Sequence, residues 1–146
     1  MVKNMGIEQS LFEYICHSVE NTPFYQLVGI RLSALGVGQA EFKLIASHQH
    51  TNPMGLLHGG VLMSLADAAM GNAIRSMGIR GVTADCSTAF VAAASIQGEL
   101  LAQGKVVKAG KRLVYTRAEV YCDGKIVADA KGTFANIGTI DLDETR

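Results

Sequence analysis

Asp67 is the only charged residue between His58 and Arg75. It stands in an otherwise apolar run, where an acidic side chain needs a partner or a use. Eight residues upstream, Gly59 and Gly60 follow His58 where that run begins. Glycine lets a ligand approach the backbone closely, and the first N–H groups of a helix have no internal partner. With the helix dipole they can stabilise an oxyanion as it forms, which is the chemistry of attack on a carbonyl. The spacing adds a constraint. Eight residues along a helix is about 12 Å, too far for Gly59 and Asp67 to touch one reacting carbon within a subunit. If both act, the Gly59 end of one helix must meet Asp67 of a second, antiparallel helix. That predicts a two-fold dimer with two shared sites.

The elements that position these residues are legible from periodicity. Val61, Leu62, Met63, Leu65, Ala66, Ala68, Ala69, Met70, Ala73 and Ile74 surround one axis, so 59–77 reads as a buried helix ended by Gly78. Upstream, Leu11, Ile15 and Val19 recur four apart, predicting an amphipathic helix over 8–20 that Pro23 stops. Ala40, Phe42, Leu44 and Ala46 alternate with Gln39, Glu41 and Lys43, predicting a half-buried strand within 36–47. His48 to Leu57 reads as a loop. Strand-like runs follow at 81–91, 98–107, 113–122 and 125–137, and Asp123-Gly124 marks a tight hairpin between the last two. One apolar helix followed by an antiparallel meander predicts an α+β domain in which a curved sheet wraps the helix. The open edges of such a sheet make dimerisation plausible.

Composition narrows the class. A chain of 146 residues that is 49% hydrophobic and 18% charged suits one domain, 1–146, with a helical extension at 1–21 and a core over about 22–138. Thirteen basic residues balance thirteen acidic ones, so no nucleic-acid footprint is expected. Met1 to Ser10 carries no signal-peptide pattern, and no run of about 18 apolar residues predicts a membrane span. Cys16, Cys86 and Cys122 are odd in number and widely spaced, which suits a reducing, cytoplasmic setting.

His58-Gly59-Gly60 followed by Leu65-Ala66-Asp67, with Asn52-Pro53-Met54-Gly55 upstream, resembles the hotdog-fold acyl-CoA thioesterases of the phenylacetic acid degradation type. Gly81 to Asp85 and Ala130-x-Gly132-Thr133-Phe134 resemble downstream motifs of that family, so the likeness runs from about 22 to 137. The resemblance implies a hotdog fold and hydrolysis of an acyl- or aryl-acyl-coenzyme A to the free acid and coenzyme A. It makes Asp67 the nucleophile or the general base, and the Gly59 N–H the group that polarises the thioester carbonyl. It gives His58 and Asn52 the task of positioning that loop and the thioester. Thr83 falls where the family has a Ser or Thr that holds the water or the acid. Gly60 joins the substrate-binding set, or serves close helix packing. The resemblance further implies a tetramer of two hotdog dimers, and no metal or cofactor, coenzyme A being part of the substrate.

Other residues carry two readings each. Lys111 and Arg112, with Lys108, form a basic turn that is either solvated surface or the seat of the coenzyme A phosphates. Ala68, Ala69, Gly71 and Ala73 are small enough to leave room for an aryl or medium acyl chain. His48-x-His50 lacks nearby Cys or a third spaced ligand and reads as a solvated loop, not a metal site. Cys86 reads as a strand thiol before a nucleophile. Two rival functions remain: a hotdog hydratase or dehydratase acting on acyl thioesters, which uses a His and an acid in another arrangement, and a non-catalytic acyl-CoA sensor, which has no reason to keep Asp67.

Overall fold

The computed structural model describes residues 1–143, so the last three positions of the expected domain lie outside the described residues. After a short strand β1 (Lys3–Asn4), helix α1 (Gln9–Glu20) begins at Glu8, whose carboxylate accepts from the Leu11 amide. Ile15 and Val19 are its buried residues. The expectation that Pro23 stops this helix is corrected. The helix ends at Glu20, and Pro23 opens a second one, α2 (Pro23–Val28). Proline suits a first helical turn, because its φ is already helical and the N–H it lacks would be unpaired there. Gly29, at φ +91°, then ends α2.

Strand β2 (Arg31–Gly36) turns through Gly38, at φ +70°, into β3 (Gln39–Ile45). A single 3₁₀ turn at His48–His50 leads to helix α3 (Gly59–Arg75). Four strands follow: β4 (Ile79–Phe90), β5 (Glu99–Ala109), β6 (Leu113–Cys122) and β7 (Lys125–Thr139). They join one seven-stranded sheet in the order β1-β2-β3-β5-β6-β7-β4. Every pairing is antiparallel except β1 with β2. The expected meander is therefore correct for β5 to β7 only. Although β4 directly follows α3, it lies at the far edge and, among the described residues, pairs with β7 alone.

The sheet curves around α3, whose buried side chains include Leu62, Leu65, Met70 and Ile74. Contact is closest over a row of small residues. Ala40, Gly104, Ala118 and Ala130 stand in register across β3, β5, β6 and β7. A Cβ added to Gly104 would lie 2.4 Å from the carbonyl carbon of Ala69. Of the small residues on this helix, Ala68, Ala69 and Ala73 are buried and Gly71 is half-buried.

The helix is not covered all round. Gly59, Met63 and Asp67, each four residues apart, form a stripe that is open in one chain. Nearly every residue of β4 beside it is exposed or only half-buried, including the apolar Val82 and Phe90. At the other end of α3, Arg75 donates to Asn72 Oδ1 (2.9 Å) and to Ser18 Oγ and lies 5.5 Å over the Tyr14 ring. These contacts fasten α1 to the end of α3 remote from Gly59.

Candidate active site

The loop before α3 is built by its own side chains. The Asn52 side-chain oxygen accepts from the Met54 amide (2.9 Å) and the Leu56 amide (3.0 Å), closing the turn around Gly55, which sits at φ +73°. Thr51 bridges Leu57 across the base of the loop. Contrary to the expected solvated loop, the His50 ring is buried between the Ser47 amide and the Val28 carbonyl, 2.6 Å from the latter, so it ties this loop to α2. Among the described residues no three His, Cys, Asp or Glu side chains gather where they would hold a metal.

His58 is the N-cap of α3, and its Nδ1 accepts from the Gly60 amide at 2.8 Å. The Val61 amide is taken by the His58 carbonyl. Gly60 therefore has no free N–H for a substrate. Gly59 differs: its N–H makes no hydrogen bond to another described residue. An unpaired donor at the positive end of a 17-residue helix is the arrangement that an oxyanion needs. Gly59 opens on a cleft of about 460 Å³ walled by Asn52, Leu56, Leu57, Leu62, Phe90 and the 91–94 stretch.

Asp67 and Thr83 make the second cluster. The Thr83 hydroxyl donates to Asp67 Oδ1 at 2.7 Å across the gap between α3 and β4. That bond fixes the carboxylate and leaves Oδ2 without a partner among the described residues. Although it stands in an apolar run, Asp67 is only half-buried in one chain. Burial pushes the nearby Cys86 thiol up from its ordinary value, and the charge of Asp67 adds to the shift. A thiol held protonated is a poor nucleophile. Asp67 and Thr83 thus meet each other, Asn52, His58 and Gly59 meet around the loop, and the two groups stay apart along α3.

A model of the Thioesterase superfamily matches residues 54–128, which include Gly59, Asp67 and Thr83. This chain belongs to the Thioesterase superfamily. Human acyl-coenzyme A thioesterase 13 is 28% identical over 133 residues, covering 88% of this chain and 95% of its own. The acyl-coenzyme A thioesterase PaaI of Escherichia coli is 31% identical over 120 residues, covering 82% and 86%. The solved structure of PaaI, from the E. coli phenylacetic acid degradation operon, superposes with a TM-score of 0.85 at 27% identity, over 93% of this chain and all of that one. The α+β hotdog fold, the family and the class of thioester hydrolase expected from the sequence are the ones found.

Lys111 and Arg112 occupy the β5–β6 turn, exposed to solvent. The Asn136 amide donates to the Arg112 carbonyl, and Asn136 pairs with Gly81. The basic turn is therefore two strands, about 10 Å, from the Thr83 end of β4. Sequence reasoning missed Phe90. Its ring lies on Gly59, so close that an added Cβ would stand 3.1 Å from Cζ. No local pattern marks that contact, which forms only when the end of β4 returns to the start of α3.

Proposed function

We propose that this chain hydrolyses an acyl-coenzyme A to the free acid and coenzyme A, at sites each built from two copies. The observation that carries the reading is the division of labour along α3. One end offers the unpaired Gly59 N–H, and a point about 12 Å away offers the Thr83-held Asp67 carboxylate. A two-fold axis beside the open Gly59–Met63–Asp67 stripe brings the first group of one copy to the second group of the other. The unpaired edge of β4 and the half-exposed Val82 and Phe90 support burial by a second copy. A pair of such dimers gives the tetramer that the resemblance implies. Relatives named as acyl-coenzyme A thioesterases support the substrate class.

In this reading Asp67 takes a proton from water, and the hydroxide adds to the thioester carbonyl carbon. The carbonyl oxygen, now negative, accepts from the Gly59 N–H of the other copy. The C–S bond breaks as the carbonyl re-forms, and the coenzyme A thiolate leaves with the proton. Thr83 keeps Asp67 aimed, His58 holds the helix start, and Asn52 holds the loop so that the thioester enters along it. Lys111 and Arg112 meet the coenzyme A phosphates. The reaction calls on no metal or further cofactor. The three free thiols suit a cytoplasmic setting.

Thiol release from a panel of acyl-coenzyme A substrates tests the activity: turnover is expected for at least one acyl class, and a folded protein that releases none refutes the reading. Site sharing has its own test. Asp67→Asn and Gly59→Val proteins, each inactive alone, are expected to recover up to about a quarter of wild-type activity when mixed 1:1 and exchanged. That is the statistical share of sites built from two unmutated halves. No recovery after exchange is demonstrated would refute sharing.

A further inference from the structure

Phe90 has no task in the mechanism above, yet its ring faces Gly59, the residue that carries the oxyanion donor. A Cβ built on Gly59 would stand 3.1 Å from Phe90 Cζ and 3.2 Å from Cε1, so the ring leaves no room for a side chain at Gly59. The contact is one-sided. Phe90 is 52% exposed, and it stands outside the main core. That exposed side is the one a second copy covers in the proposed dimer, so the ring belongs to the shared site and not to the core of one chain.

Its backbone, by contrast, is well fixed. Phe90 is the last residue of β4, paired with Ala128, and just beyond it the Val91 and Ala92 amides both donate to the Val127 carbonyl (2.9 and 3.4 Å). That shared acceptor ends the ladder and turns the chain away from the sheet. That fixed Cα holds the ring beside Gly59. The surrounding wall is apolar: Leu56, Leu57 and Leu62 from the α3 side, and the alanines at 92–94 from the β4 side. The cleft of about 460 Å³ is of the size that takes a small organic group, and Asn52 and Gly59 are the polar residues that line it. A group bound there with its carbonyl at Gly59 directs the rest of its body at the Phe90 ring.

We infer that Phe90 is the specificity residue of the acyl subsite, its ring deciding how bulky an acyl group reaches the Gly59 N–H. The inference rests on the thioesterase reading and goes beyond it by assigning the acyl end of the substrate to the Phe90 cleft.

The test measures kcat/KM for acetyl-, hexanoyl- and benzoyl-coenzyme A with the wild type, Phe90→Ala and Phe90→Trp. Ratios between substrates on one preparation cancel any loss of folded enzyme. Phe90→Ala is expected to raise the benzoyl-to-acetyl ratio about tenfold, the scale on which a small change in an apolar pocket discriminates, and Phe90→Trp to lower it. Ratios constant within twofold in both variants, with an active wild type, overturn this inference alone. The same holds if KM rises equally for every acyl group while inhibition by free coenzyme A weakens, since the ring then touches the carrier end. A folded wild type that hydrolyses none of the three, nor any thioester of the wider panel, overturns the thioesterase reading and this assignment with it.

Discussion

Asp67→Asn is expected to fold as the wild type does and to lose at least about 100-fold in kcat/KM. The substitution is isosteric, and the amide oxygen still accepts from the Thr83 hydroxyl, which now holds Oδ1 at 2.7 Å. The bond is exposed, so little folding energy depends on it. What disappears is the second oxygen as a base or nucleophile, because an amide NH₂ is neither. The check is a pair of measurements on one preparation: acyl-coenzyme A turnover, and the midpoint of thermal unfolding. A drop in turnover with an unchanged midpoint assigns the loss to chemistry. Turnover within a few-fold of the wild type would remove Asp67 from the reaction.

Gly104→Ala is expected to act in the opposite way, on the fold first. The new methyl would sit 2.4 Å from the Ala69 carbonyl carbon, 2.5 Å from its oxygen and 2.8 Å from the Met70 nitrogen. All three are backbone atoms of α3, so no side chain can rotate aside. Either the helix lifts from β5 or the strand bows outward, and the buried Ala40 and Ala118 on either side lose contact with it. Overpacking of this kind costs about 3 kcal/mol, or about 10 °C in the unfolding midpoint of a chain this size. Because α3 carries both Gly59 and Asp67, the remaining folded protein should also be less active. A midpoint lowered by less than about 2 °C would show that α3 does not pack on β5 at this distance.

What the sequence made legible follows from how local each signal is. The α3 helix announced itself through apolar residues on every side, β3 through alternation, and β6 and β7 as strand-like runs joined by the Asp123-Gly124 turn. Strand β2 escaped because its pairing with β3 slips between Leu32 and Ala34. The bulge puts the two-residue rhythm out of phase, so no alternating run exists to be read. Helix α2 escaped because it is six residues long with none buried, and its proline reads equally as a stop. The edge position of β4 depends on which strand completes the barrel-like wrap, a non-local choice absent from its own residues. For the site, the isolated charge of Asp67 and the Gly59–Gly60 pair were visible as chemistry. The link from Thr83 to Asp67 entered only through family likeness, since no spacing rule connects a helix residue to one on a strand beyond a turn. That the Gly59 amide is free while the Gly60 amide is occupied turns on which way the His58 ring points.

The edge position of β4 also sets an order of events during synthesis. Asp67 and Thr83 leave the ribosome early, but β4 has no partner until β7, the last strand, is made: Thr83 waits for Phe134 and Phe90 for Ala128. Long-range pairing of this sort is slow to close, and an unpaired apolar strand is exposed meanwhile to other chains. A nascent chain ending before Lys125 holds the reactive residues but not the sheet that aligns them. The carboxylate is thus armed only once β7 has been made, and a product terminated before it is expected to be inert and prone to aggregate.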